Sequence, residues 1–105
     1  MYKELLDTLV VPIVFCDLNH VIVYMNEAAG EKYKKRGGMS ILGNSIFDCH
    51  KESSNIVIRE IFGRMQAGLN EQITRDTDKI KIFMCAVRNE LGELIGYYER
   101  YEHFE

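Results

Sequence analysis

The chain has 105 residues, which is enough for one hydrophobic core and too short for two. Hydrophobic residues make up 47% and charged residues 28%, a balance that excludes a disordered segment. The net charge is −3 without a long basic block, so nucleic-acid binding is not expected, and no apolar run approaches the about 20 residues that cross a bilayer.

The first ten residues predict a short helix. Leu5, Leu6 and Leu9 form an apolar edge on it, and Pro12 cannot continue its hydrogen bonding. A helix of this length is marginal alone, so we expect residues 1–10 to dock on a core at 12–105 or on a partner.

A hairpin and a second short helix are predicted next. The stretches 12–18 and 21–25 are rich in Val, Ile, Phe and Tyr and are joined by turn-forming residues. Asn26 is a good helix cap, and Gly30 weakens the helix that follows it.

The longest helix is predicted to end at Gly68, with Ser53 or Ser54 as its N-cap. Its apolar residues recur at three- and four-residue steps and fall on one face: Ile58, Ile61, Phe62 and Met65. We therefore expect this helix to pack its apolar side on a sheet.

Three more extended stretches, 70–76, 80–87 and 94–104, complete the pattern, with a turn at 89–92. The order predicts an α+β fold over 1–105, a single domain in which helices pack on one face of a five-stranded antiparallel sheet.

This order of elements resembles a PAS domain. The residues that carry the resemblance are the hairpin at 17–29, Gly43 with Ser45-Ile46-Phe47, and the Asn-Glu-Leu-Gly turn with Gly96 four residues after its glycine. The run Phe47-Asp48-Cys49-His50 resembles the Cys-His-Pro turn of some bacterial PAS domains, with Lys51 in place of proline.

The resemblance implies a sheet that encloses a small cavity with its helices. It also implies a bacterial signalling module that senses a ligand, redox state or partner and is not an enzyme. We expect a homodimer through the N-terminal helix and a sheet face, and an output kinase, regulator or other signalling domain as partner.

Cys49 and His50 are the candidate cofactor residues, and two interpretations stay open. An imidazole can ligate haem iron, and a thiolate can carry a chromophore or react with an oxidant. Alternatively, His50 hydrogen-bonds the turn and Cys49 packs in the core. Flavin photochemistry is not expected, because Ile46 stands where that subgroup has its cysteine.

Other site chemistry has little support in the sequence. Adjacent Cys and His rarely chelate one ion, so no metal site is expected, and no catalytic motif is present. Three cysteines without paired spacing fit a reduced, cytoplasmic protein. The candidate cavity-lining side chains are aromatic or sulfur-bearing: Phe15, Tyr24, Met25, Phe62, Met65, Met84 and Tyr98.

Overall fold

The computed structural model describes residues 2–103, in which five strands and three α-helices form. The strands are β1 (Ile13–Asp17), β2 (Ile22–Met25), β3 (Glu71–Asp76), β4 (Ile80–Arg88) and β5 (Leu94–His103). The helices are α1 (Tyr2–Asp7), α2 (Glu27–Lys32) and α3 (Glu52–Gln66). Single-turn 3₁₀ helices span Lys34–Arg36, Gly38–Ile41 and Ile46–Asp48. The predicted ends at Met1 and Phe104 lie outside the described residues.

The five strands form one sheet in the order β2-β1-β5-β4-β3. Every neighbouring pair is antiparallel, so the predicted fold class is confirmed. The first and last strands of the chain are neighbours, because β5 lies between β1 and β4. This places the last strand at the centre of the sheet.

One face of the sheet, the inner face, carries the core. Cys16 lies opposite Tyr97, and Val14 and Met84 both lie opposite Glu99, so alternate residues of three strands share this face. The largest fully buried side chains there and on α3 include Ile22, Met25, Ile61, Met65 and Met84. The apolar stripe predicted for α3 is confirmed by the burial of Ile58, Ile61 and Met65.

Asn26 joins the first hairpin to α2 and α1. Its Oδ1 accepts from the backbone N–H of Ala29 and of Ile13, both at 3.0 Å, which confirms the predicted cap. Its Nδ2 donates to the carbonyl oxygens of Val11 at 2.9 Å and Leu6 at 3.4 Å. This fully buried amide therefore ties three segments together.

Helix α3 begins earlier than predicted. Its N-cap is Lys51, whose backbone is extended and whose side chain makes no capping bond, so the prediction that Ser53 or Ser54 caps the helix is wrong. Both serines instead lie in the first turn. The predicted end is confirmed: Gly68 has φ of 118°, and the Leu69 N–H donates to the Arg64 carbonyl at 2.9 Å.

Helix α1 ends at Asp7, before the predicted residue 10. The Thr8 N–H and hydroxyl both donate to the Leu5 carbonyl, which closes the last turn tightly. Asp7 accepts from the Tyr24 hydroxyl and from the Glu27 N–H, each at 3.2 Å. These contacts fasten α1 to β2 and α2. Across residues 2–103, no helix has both the length and the apolar character that crossing a membrane requires.

Candidate ligand cavity between the long helix and the sheet

A cavity of about 560 Å³, the inner cavity, lies between the inner face of the sheet and the helices. Residues from α2, the following 3₁₀ turn, the first two turns of α3 and strands β3 to β5 line it. Its wall thus draws on both layers of the fold. A space of this size and position is suited to a small molecule.

Buried hydroxyl groups and one carboxylate form the floor of the inner cavity. The Tyr101 hydroxyl donates to Glu99 Oε2 at 3.1 Å, and Tyr33 lines the same space. Burial, with the Glu99 charge as the next cause, raises the pKa of Tyr33 to about 12 and also raises the pKa of Tyr101. Both phenols therefore remain protonated donors at neutral pH.

The mouth of the inner cavity is basic. Lys32, Lys35, Arg36 and Arg75 line it and are exposed to solvent. The Lys32 ammonium lies 4.3 Å from the centre of the Tyr101 ring, and the Arg36 guanidinium donates to the Cys49 carbonyl. The basic cluster at 34–36 thus contributes two side chains, Lys35 and Arg36, to the cavity.

Cys49 lines the inner cavity but is itself buried. Its thiol lies 3.9 Å from the Ser45 carbonyl, in the turn that Ser45 caps by accepting from the Phe47 N–H. Burial, and then the charge of Asp48, raises the pKa of this thiol. The thiolate that covalent or redox chemistry needs is therefore disfavoured at neutral pH.

His50 also lines the inner cavity and is held by the turn. Its Nδ1–H donates to the Ile46 carbonyl at 3.1 Å, and its ring packs against Tyr33 with centroids 6.1 Å apart. Donation from Nδ1 leaves Nε2 as the nitrogen with a lone pair. These contacts agree with the structural interpretation of the pair, and its cofactor role stays a prediction.

None of the seven aromatic and methionine side chains predicted to line a cavity lines the inner cavity. Met25, Met65 and Met84 fill the core, and Phe62 packs against the rings of His20 and Tyr97. The remaining three lie on the opposite, outer face of the sheet: Phe15, Tyr24 and Tyr98. The inner cavity is therefore lined by different and more polar residues.

An apolar groove of about 400 Å³, the outer groove, runs along that opposite face. Six side chains line it: Leu6, Ile13, Phe15, Tyr24, Val87 and Tyr98. Beside it on α1 and the following turn, Leu5 is 61% exposed and Leu9 43% exposed. The apolar edge predicted for the N-terminal helix is thus only partly used inside this chain.

Glu99, in the lining of the inner cavity, is a residue that the sequence did not single out. The signal lay in the alternation of β5, where Tyr97, Glu99 and Tyr101 share one face. Two large tyrosines at these positions indicate the buried side of a strand. A carboxylate between them is costly in a sealed core and is expected where a cavity opens.

His20 is a second residue that the sequence did not single out. It adopts φ of 64°, and its ring packs against Phe47, Phe62 and Tyr97. Its Nδ1 lies 2.8 Å from the Tyr97 hydroxyl oxygen. Burial, and then the charge of Arg59, lowers the pKa of this imidazole.

An antiparallel sheet that encloses a small cavity together with its helices is the architecture of PAS domains. The model of the PAS fold matches residues 1–98, and the chain belongs to this family. No curated protein matches the sequence. The finer resemblance to the Cys-His-turn subgroup stays a prediction.

Solved structures show the same fold at low sequence identity. The C-terminal domain of a Streptococcus mutans protein superposes with a TM-score of 0.79 at 19% identity, over 97% of this chain and 81% of that one. A sensory box sensor histidine kinase from Vibrio cholerae gives 0.69 at 18% identity, over 99% and 90%. The Aer2 receptor of Vibrio cholerae, a dual PAS-haem oxygen sensor, gives 0.61 at 18%, over 90% and 95%. These similarities establish the fold.

Within residues 2–103, no group of three or more His, Cys, Asp or Glu side chains could hold a metal ion.

Proposed function

We propose that the chain is a cytoplasmic sensor module of a bacterial signalling protein, which binds a small molecule in the inner cavity. The observation that carries the proposal is the cavity of about 560 Å³, lined by both the helical layer and the sheet. PAS domains are generally sensory rather than catalytic, which fits a protein without enzyme activity. A histidine kinase among the similar structures supports an output kinase or regulator as partner.

Strand β5 offers a route from the inner cavity to the outer face. Glu99 and Tyr101 line the cavity, while Tyr98, which directly precedes Glu99 on the same strand, lines the outer groove. A shift of this central strand on ligand binding changes both faces at once. The ligand can then alter a partner's contacts without touching the partner.

Ligand occupancy can be tested on protein purified from a native-like host by native mass spectrometry. Ser53→Trp places a large ring in the cavity from an exposed position, so a retained small molecule should be lost. Glu60→Trp, on the same helix but outside the cavity lining, is the matched control and should keep the molecule. Wild-type protein without any retained molecule, and without stabilisation by host small-molecule extract, would contradict the proposal.

We propose further that two copies associate through α1 and the outer groove. The support is the exposed Leu5 and Leu9 beside an apolar groove in which Leu6 already packs. Leu5→Asp with Leu9→Asp should convert a dimer to a monomer in light scattering. Leu91→Asp, at an 83% exposed position in the β4–β5 turn, should leave the mass unchanged. An unchanged mass in the double variant would exclude this interface.

A second candidate function is haem binding at His50. The bond from Nδ1–H to the Ile46 carbonyl favours it, because ligating histidines are commonly oriented by a carbonyl on the other nitrogen. The lysines and arginines at the mouth suit haem propionates, so the residues fit the group. A haem iron would supply gas or redox sensing at this wall.

An absorption spectrum separates the candidates. A Soret band that disappears in His50→Ala and persists in Cys49→Ser would establish the haem function. A visible band with a covalent mass on Cys49 would indicate a bound chromophore instead. A colourless protein that retains a small molecule would support the first proposal.

A further inference from the structure

The basic mouth of the inner cavity is built from three separate elements. Lys32 comes from α2, Lys35 and Arg36 from the following 3₁₀ turn, and Arg75 from β3. Among residues 2–103, the ion pairs that form use other cations, and none of these four lies in one. Four positive charges thus line one opening, and none of them forms an ion pair with a carboxylate among the described residues.

This convergence is not a result of overall composition. The chain has 16 acidic residues against 13 basic ones and a net charge of −3. A random surface of such a protein would on average be slightly negative. Holding like charges close together costs free energy, and an anion at the mouth would relieve it.

The rest of the cavity determines what the anion is attached to. Val57, Ile58 and Ile82 supply apolar walls. At the floor, the Glu99 carboxylate repels a negative group, so the acidic group of a ligand is held at the mouth. A free inorganic ion would leave these apolar walls in contact with water.

We propose that the inner cavity selects small organic anions, with the acidic group at the Lys32, Lys35, Arg36 and Arg75 mouth and an apolar body against α3 and β4. This inference rests on the proposed sensor function and names the chemical class of its ligand. The apolar body gains from burial, and the acidic group gains from the unpaired cations.

Two dyes that differ in one group provide the probe. The dye 8-anilinonaphthalene-1-sulfonate is an organic anion, and N-phenyl-1-naphthylamine has the same rings without the sulfonate. Fluorescence titration should give a dissociation constant for the anionic dye at least tenfold lower. Its binding should weaken as sodium chloride rises from 20 to 500 mM, roughly as expected for exposed charges.

Charge-reversal variants locate the preference. Lys35→Glu and Arg75→Glu should each reduce the ratio of the two affinities at least fivefold. Lys79→Glu changes the net charge equally but lies in the exposed β3–β4 turn, outside the cavity lining, and should leave the ratio unchanged. Ser53→Trp should block the anionic dye in the inner cavity, whereas Leu6→Trp fills the outer groove and should not. Calorimetry should show that the dye raises the melting temperature, as binding to the folded state requires.

The outcomes separate this inference from the proposed function. Equal affinities for both dyes, blocked by Ser53→Trp, would overturn the anion preference and leave a ligand-binding cavity in place. Anionic dye that binds only at sites insensitive to Ser53→Trp, or not at all, would also overturn the inference. The proposed function fails separately, if native mass spectrometry and host extract reveal no ligand.

Discussion

Asn26 and Glu99 are both polar and both lie inside the fold, but the structure uses them in opposite ways. The Asn26 amide makes four hydrogen bonds to four different residues of the chain. The Glu99 carboxylate accepts only from the Tyr101 hydroxyl among the described residues, in a cavity whose mouth carries cations that form no ion pair. The difference separates polar groups that folding requires from polar groups that remain available to another molecule. Substituting a group of the first kind should lower the free energy of unfolding strongly, and substituting one of the second kind should change it little.

The largest expected effect on stability is therefore at Asn26, which joins the first hairpin to α1 and α2. Asn26→Ala removes an N-cap and leaves the N–H of Ile13 and the carbonyl of Val11, both half-buried, without their partner. Each such loss costs roughly 1–3 kcal/mol, so urea denaturation should show a loss of about 3 kcal/mol or more. Asn44→Ala, at an exposed position whose contacts are made by its backbone, should cost less than about 0.5 kcal/mol. A loss at Asn26 below about 1 kcal/mol would remove the basis of the comparison.

Asn55 offers an intermediate case. Its Nδ2 donates to the Phe47 carbonyl at 3.0 Å, while its buried Oδ1 has no partner within the described residues. Asn55→Ala loses one hydrogen bond but also relieves an unsatisfied oxygen and improves helix propensity. Urea denaturation should give a loss of about 1 kcal/mol. A loss as large as that at Asn26 would mean that Oδ1 is satisfied in solution.

The His20 imidazole should make stability depend on pH. Its pKa is lowered in the folded state by burial and by Arg59, although Asp17 opposes this. In the unfolded chain this imidazole has its ordinary pKa of about 6.5 and therefore binds the proton more readily than in the folded state. The stabilising effect is complete above that value and is lost as the pH falls below it toward the folded-state pKa.

The comparison variant for this effect is His20→Asn, since asparagine tolerates the positive φ of this position. Urea midpoints should fall less steeply between pH 6.5 and 5 in the variant than in the wild type. Parallel pH profiles would show that the imidazole is equally accessible to protons in both states.

Local sequence patterns were sufficient to predict the fold. Local sequence predicted the Val- and Ile-rich strands, the Asn26 cap and the end of α3 at Gly68. Each of these features depends on neighbours within a few residues. Gly96 was readable as part of a motif, and the structure supplies its reason: a Cβ there would collide with the Cys16 carbonyl and the Phe15 ring. The serine cap failed because Lys51 takes the extended conformation without any capping side chain.

The inner cavity could not be predicted from local sequence in the same way. Its residues come from 32–36, 49–58, 74–82 and 99–101, and only the tertiary fold brings them together. The aromatic and methionine candidates were chosen by side-chain type, which does not reveal on which face of the sheet a side chain lies. Phe15 and Tyr98 are paired in register on the outer face, whereas the methionines fill the core. The bulge between Phe15 and Cys16 further obscures the alternation of β1 against β2.

The smallest expected effect is at Glu99, and it tests the other half of the comparison. In Glu99→Gln the amide oxygen can still accept from the Tyr101 hydroxyl, and no ion pair within residues 2–103 is broken. The free energy of unfolding should therefore change by less than about 0.5 kcal/mol, as it should for Glu90→Gln in the exposed β4–β5 turn. Native mass spectrometry should nevertheless show altered retention of the small molecule in Glu99→Gln and unaltered retention in the turn variant. A stability loss above about 1.5 kcal/mol would instead place Glu99 with Asn26, as a group on which the fold depends.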